Sequence, residues 1–232
     1  ATVEIPPLLL GRAASYACMD SLPRALAVYR SVRAKYPKSV FSAEASYRAG
    51  VIYQERLDSL KLAADAFAAV GGEYANSEFA AASLEKSSSI RRLLDLQKAA
   101  AGEQSAEQAA ERRFVAAEIQ LTRLDEVSMA LAGYEAVLDS FPGTTVAPKA
   151  AFAIAWIHEN KLGEKEAAVR RYGEVVRRYP RSFQAKGALY ELELAGADSL
   201  AALLQAYRDS ALADTASLPV STACAIAASM AG

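Results

Sequence analysis

The feature that most constrains the fold of this chain is a self-match at an offset of 105 residues. Tyr29, Pro37, Leu57, Ala63, Val70 and Ser77 reappear as Tyr134, Pro142, Leu162, Ala168, Val175 and Ser182. Laid without a gap, positions 20–84 and 125–189 share about 16 identities in 65 pairs, with conservative exchanges such as Phe67/Tyr172 and Tyr36/Phe141. One module used twice implies stacked units that present a surface rather than close around a catalytic pocket. Alanine makes up 52 of the 232 residues, against 12 glycines and 8 prolines. That mixture favours helix throughout and lets helices approach closely. The expected class is all-α.

A shorter rhythm of 38 residues runs inside each copy. Helical pairs close on an aromatic, usually proline, any residue, then Ser or Thr: Tyr36-Pro37-Lys38-Ser39, Tyr74-Ala75-Asn76-Ser77, Phe141-Pro142-Gly143-Thr144 and Tyr179-Pro180-Arg181-Ser182. Proline cannot extend the helix before it, and the hydroxyl can cap the next one, so each signature is expected to be a turn between helices. Upstream of each stands alanine, then an aromatic four residues on: Ala25/Tyr29, Ala63/Phe67, Ala130/Tyr134 and Ala168/Tyr172. The small residue permits helix contact and the aromatic fills the space one turn later, with Val32, Val70, Val137 and Val175 completing the stripe.

With these positions the chain resembles the tetratricopeptide repeat family over about residues 7–195. Gly50 and Tyr53 fit its first-helix pair, Ala155 and His158 fit loosely, and Glu118 and Leu121 depart from it. The resemblance implies an α-solenoid of helical hairpins, arranged here as two similar modules, whose first helices line a protein-binding groove. Its groove positions fall on Glu44, Tyr47, Val51, Gln54 and Glu55 in one copy, and on Lys149, Phe152, Trp156, Glu159 and Asn160 in the other. Aromatics at this spacing suit a peptide groove, although at helical spacing they more often belong to an inter-helix core. The family's carboxylate clamp is missing: Leu10, Ala14, Tyr47, Val51, Val115 and Ile119 stand where it needs Lys, Arg and Asn.

The Tyr-Pro-x-Ser turn followed by an alanine-rich helix is similar to that of bacterial periplasmic tetratricopeptide proteins, including those of the outer-membrane assembly and Tol–Pal machineries. The implied role is a non-catalytic scaffold bridging envelope proteins, in the periplasm or on the periplasmic face of the outer membrane. A cytoplasmic scaffold, a permanent subunit of a larger complex and a helical accessory domain of an enzyme are the alternatives. The chain begins Ala-Thr-Val rather than with Met, which suits a processed product with any lipid anchor upstream of Ala1.

The boundaries expected from sequence are a first module at 1–98, a linker at 99–104, a second module at 105–212 and an apolar low-complexity tail at 213–232. A half-repeat helix closes each module, at Glu78–Lys98 and at Phe183–Ala195, with Gly196 stopping the latter. Ser105 is placed as the N-cap of the second module's first helix.

Composition narrows the chemistry. A net charge of −1 gives no basic field for a phosphate backbone, so nucleic acid is not an expected partner. The one dense basic stretch, Arg170, Arg171, Arg177, Arg178 and Arg181, is read as a solvated face, with a docking patch for an acidic partner as the alternative. Cys18 and Cys224 form neither a disulfide framework nor a metal motif, and Cys18 is expected to be buried. No apolar run reaches the ~20 residues of a membrane helix. His158 is the single histidine, and its partner in the self-match is Tyr53, a packing position, so a structural role is expected. Gly71-Gly72 lacks the Lys and Ser or Thr of a nucleotide loop, and no nucleophile–His constellation is visible. No enzyme activity, cofactor or metal is expected, and the expected partners are proteins or peptides.

Overall fold

The computed structural model describes residues 5–99, 105–197, 201–205 and 207–209. These residues are all-helical with no strand among them, as expected. The helices are α1 (Pro6–Cys18), α2 (Leu22–Lys35), α3 (Val40–Glu55), α4 (Leu60–Glu73), α5 (Ala80–Ala99), α6 (Ala106–Thr122), α7 (Val127–Ser140), α8 (Ala147–Asn160), α9 (Lys165–Arg178) and α10 (Phe183–Leu194). Residues 201–205 and 207–209 are also helical. The chain divides into two compact units, residues 1–101 with 122–125, and residues 102–121 with 126–232. Within each, helices pack mainly against their neighbours in sequence, the pattern of stacked hairpins. Ala99 ends α5, while the rest of the expected linker, 100–104, and the tail at 213–232 lie outside the described residues.

Each hairpin closes on the stripe seen in the sequence. Ala25, Tyr29 and Val32, then Ala63, Phe67 and Val70, Ala130, Tyr134 and Val137, and Ala168, Tyr172 and Val175 are all at most 2% exposed. The second-helix ring meets a first-helix ring: Phe67 lies 5.7 Å from Tyr47, Tyr134 5.3 Å from Phe114, and Tyr172 5.3 Å from Phe152, each pair tilted. Such tilted pairs add to the area they bury because edge meets face. In the first hairpin Leu9 and Leu10 join Tyr29 in one cluster, and Tyr16 packs against it.

The turns between paired helices share one device. Asp20, Asp58, Asp125 and Gly163 hold φ between +45° and +70°. Just beyond, the N–H groups of Ser21, Ser59, Glu126 and Glu164 donate to the carbonyls of Tyr16, Tyr53, Gln120 and His158, each at 2.8 Å. A left-handed residue reverses the chain while satisfying carbonyls that the ended helix leaves open, and aspartate tolerates that conformation better than most side chains. The first hairpin closes most tightly, with its bond spanning 16–21, and the second and fourth hairpins carry one more turn residue. The third hairpin has it too, since its closing bond spans 120–126 as those of the second and fourth span 53–59 and 158–164.

The aromatic-x-x-Ser/Thr signatures behave in two ways. Ser39 and Ser182 accept from the N–H groups of Ser42 and Ala185, capping α3 and α10 as expected, and their hydroxyls donate back to the carbonyls of Tyr36 and Tyr179. Thr144 makes only the backward bond, to Phe141. Ser77 Oγ is buried without a partner. The reason is geometric: α5 and α8 start three residues after Ser77 and Thr144, so those hydroxyls stand too early to cap them. Ser105 caps α6 as expected, accepting from Gln108 N–H at 3.2 Å. Cys18 is exposed, contrary to expectation. The buried stripe of α1 runs through Leu9, Leu10 and Ala13, and five residues past Ala13 a helix has turned well away from that face.

Close approach is tightest where α3 meets α4. A Cβ added to Gly50 would lie 2.7–3.0 Å from three carbons of the Phe67 ring, whereas one added to Gly11 in α1 would meet nothing within 4 Å. Gly50→Ala is therefore expected to cost about 1–3 kcal/mol of unfolding free energy. Gly11→Ala is expected to gain about 0.5–1 kcal/mol, both read from urea denaturation.

The buried phenols supply a second test. Burial, with the nearby Glu118 charge adding, pushes Tyr134 from 10.0 up to about 12. Tyr29 is also raised by burial, against the hydrogen bond and charge of Arg48. Since the folded state favours the neutral phenol, this stability is full below pH 10 and is lost as pH rises from 10 towards 12. Melting temperature should fall through that window, with part of the tyrosine absorbance change delayed until unfolding.

Candidate interaction surface

Ten positions are candidates for a binding face, and the structure distributes them over α3 and α8. On α3, Tyr47 is half-buried, tilted against Phe67 and stacked on Phe79 at 4.8 Å. Glu44 pairs with Arg48 one turn on, Val51 is half-buried, and Glu55 is exposed at the helix end. Gln54 is only 4% exposed. Its Oε1 accepts from Lys86 Nζ at 3.2 Å and its Nε2 donates to the Leu124 carbonyl at 3.3 Å, so the amide is tied down within its unit.

On α8, Lys149 and Asn160 are exposed, and Asn160 Nδ2 donates to the Trp156 carbonyl. Phe152 is half-buried between Tyr172 of α9 and the backbone of α10, where a Cβ on Gly187 would lie 3.1 Å from its ring. Glu159 accepts the Tyr172 hydroxyl at 2.9 Å. Trp156 is 39% exposed, the most solvent-facing aromatic of the ten. Tyr47 and Phe152 thus couple first helix to second, while Trp156 faces outward.

The neighbouring α10, which packs against α8, also exposes large apolar side chains. Tyr190 is 60% and Leu194 66% exposed. They stand 38 residues after Phe152 and Trp156, so extending the short rhythm one helix further would have found them. The groove positions implied by the resemblance end on α8, so the closing helix at Phe183–Ala195 contributes neither of them.

His158 is built into a turn. Its Nδ1 lies 2.7 Å from a Glu164 carboxylate oxygen, and its carbonyl receives the Glu164 N–H. The ring thereby braces the α8–α9 reversal. Of the arginines of α9, Arg171 contacts Glu174 at 3.3 Å and Glu135 at 3.6 Å, Arg178 lies over the Tyr179 ring at 5.6 Å, and Arg170 and Arg177 are exposed. Among the described residues no group of His, Cys, Asp or Glu is arranged to hold a metal, and no helix is long and apolar enough to cross a membrane.

The two kinds of aromatic separate by unfolding. Tyr47→Ala and Phe152→Ala are expected to cost about 2–4 kcal/mol each through the lost ring contacts. Trp156→Ala should cost about 1 kcal/mol or less, since much of the indole is already in water.

No curated protein matches the chain. Residues 149–182, from the first turn of α8 through α9 to the cap of α10, match the tetratricopeptide repeat, a helical hairpin that serves as a protein–protein interaction module.

Proposed function

We propose that the protein is a non-catalytic scaffold that holds another protein against the first helices of its hairpins. In this reading it bridges components of a bacterial cell-envelope assembly on the periplasmic face of the outer membrane. The observation that carries the binding role is the exposed apolar surface of α8 and α10. Trp156, Tyr190 and Leu194 are large side chains exposed on helices whose buried residues already belong to one core cluster. A stacked fold that already has a continuous core gains nothing from them internally, and clustered aromatic and aliphatic anchors are what a bound segment needs. The envelope setting is supported by the likeness of the Tyr-Pro-x-Ser turns and alanine-rich helices to envelope members of the family.

The experiment is affinity capture after cross-linking in cells, with the intact protein and the Trp156→Ala/Tyr190→Ala/Leu194→Ala variant compared at equal abundance. The expected result is co-fractionation with the outer membrane and capture of a defined envelope protein. That capture should drop about tenfold in the variant, equivalent to ~1.4 kcal/mol, with melting temperature within a few degrees of the parent. Recovery in the cytoplasmic fraction overturns the compartment, and capture unaffected by the variant overturns the surface.

A further inference from the structure

The cavity between α8, α9 and α10 carries a more specific message about the partner. Its volume is about 210 Å3, and Glu159, Lys165, Ala168, Tyr172, Glu191 and Leu194 are among the residues that line it. The Tyr172 hydroxyl donates to Glu159 at 2.9 Å. Burial, reinforced by the Glu159 hydrogen bond and charge and by the Glu191 charge, holds Tyr172 far above the ordinary phenol range, so it stays a donor. No cation among the described residues pairs with Glu159 or Glu191. Lys165 is exposed and makes no ion pair with either.

The other unit shows what such a place can hold. Gln54, Phe67 and Lys86 stand 105 residues before Glu159, Tyr172 and Glu191, on α3, α4 and α5 as the latter stand on α8, α9 and α10. There the Lys86 ammonium donates to Gln54 Oε1 at 3.2 Å and lies 5.6 Å from the centroid of the Phe67 ring. Three consecutive helices seat one ammonium between an oxygen acceptor and an aromatic face, a favourable arrangement for a partly desolvated cation. In the second unit the acceptor has become a full carboxylate, the ring has gained a hydroxyl directed at it, and the helix that supplied the cation supplies a second carboxylate instead. The acceptor side is more negative here and α10 supplies the cavity no cation, while Lys165 of α9 lines it without an ion pair to either carboxylate.

We propose that the cavity formed by Glu159, Tyr172 and Glu191 receives a basic side chain, a lysine in the first place, from a protein partner, where the first unit seats its own Lys86. Ala168 and Leu194 give the methylene stem apolar walls, and the two carboxylates take the head group. The inference rests on α8 being part of a binding surface, and it adds the charge of the segment that binds there.

The test uses the full chain and a small probe, so that it does not depend on knowing the partner. N-acetyl-lysine methylamide is titrated into isotope-labelled protein and followed by NMR, beside the neutral norleucine analogue of the same length. The expected result is saturable shifts confined to residues around Glu159, Tyr172 and Glu191, with the norleucine analogue at least about tenfold weaker. Glu191→Lys, which restores the residue type of the first unit, should abolish the shifts and raise the melting temperature. Glu191→Gln keeps the shape and should weaken the probe without unfolding the protein. Equal response to both analogues, or probe shifts unchanged in Glu191→Lys and Glu191→Gln alike, overturns the proposal. If the probe fails while partner capture still depends on Trp156, the cation site falls and the scaffold reading stands.

Discussion

Every hairpin of this protein depends on one contact, the place where a small residue lets two helices approach and a ring from the second helix fills the space beside it. Because helices this short are marginal alone in water, packing rather than propensity holds them. The small residue is as necessary as the ring: Gly50 sits so close to Phe67 that even a methyl would collide, and Gly133 stands equally close to Ala117. Alanine is so abundant because each helix repeats this compromise on its faces. Chain reversal then has to occur within about four residues, and the left-handed residue with its 2.8 Å closing bond is the local solution at all four turns.

The same contact explains why a change in the core reaches the surface in the second unit. Phe67 needs no hydrogen-bond partner, but Tyr172 buries a hydroxyl, and a buried hydroxyl without an acceptor costs about 1–3 kcal/mol. Glu159 supplies the acceptor from the last turn of α8, beside the outward face that carries Trp156. A carboxylate is thereby fixed at the edge of the candidate surface by a core requirement. Trp156 standing where the first unit has Val51 enlarges the same edge. Packing and recognition chemistry are coupled at this place in the second unit.

Much of the fold was legible because a solenoid repeats its packing problem, and repeated problems leave periodic residues. The alanine–aromatic–valine stripe located the second helix of every hairpin, and all twelve stripe residues are buried. The turn conformation was less legible, because three of its four left-handed positions hold aspartate, which also marks ordinary caps and exposed loops; only Gly163 announces itself. The two missing hydroxyl caps turn on where the next helix begins, a difference of a few residues that the signature does not contain. Cys18 was misplaced because a lone residue carries no periodicity of its own, and its burial follows from the register of the leucines before it. For the candidate surface, the sequence located the helices but could not distinguish Tyr47 and Phe152, whose rings reach a second helix, from Trp156, which occupies the same helical stripe and points outward.

The partner's identity is absent from these patterns for a physical reason. In stacked helical hairpins the core is satisfied hairpin by hairpin, so outward positions can change without disturbing it. Internal likeness therefore records the core and is silent on the ligand, and the informative positions are those where the two units disagree. Gln54 against Glu159 and Lys86 against Glu191 are the strongest such disagreement, because both exchanges move the site in the same electrostatic direction. An exchange that merely relaxed packing would have no reason to remove a cation from one helix while adding negative charge to another. Glu159 and Glu191 both line the cavity, so a basic head group entering it meets two acceptors at once. Such a site discriminates by charge, since a neutral side chain of the same length fills the apolar walls but offers the carboxylates no partner.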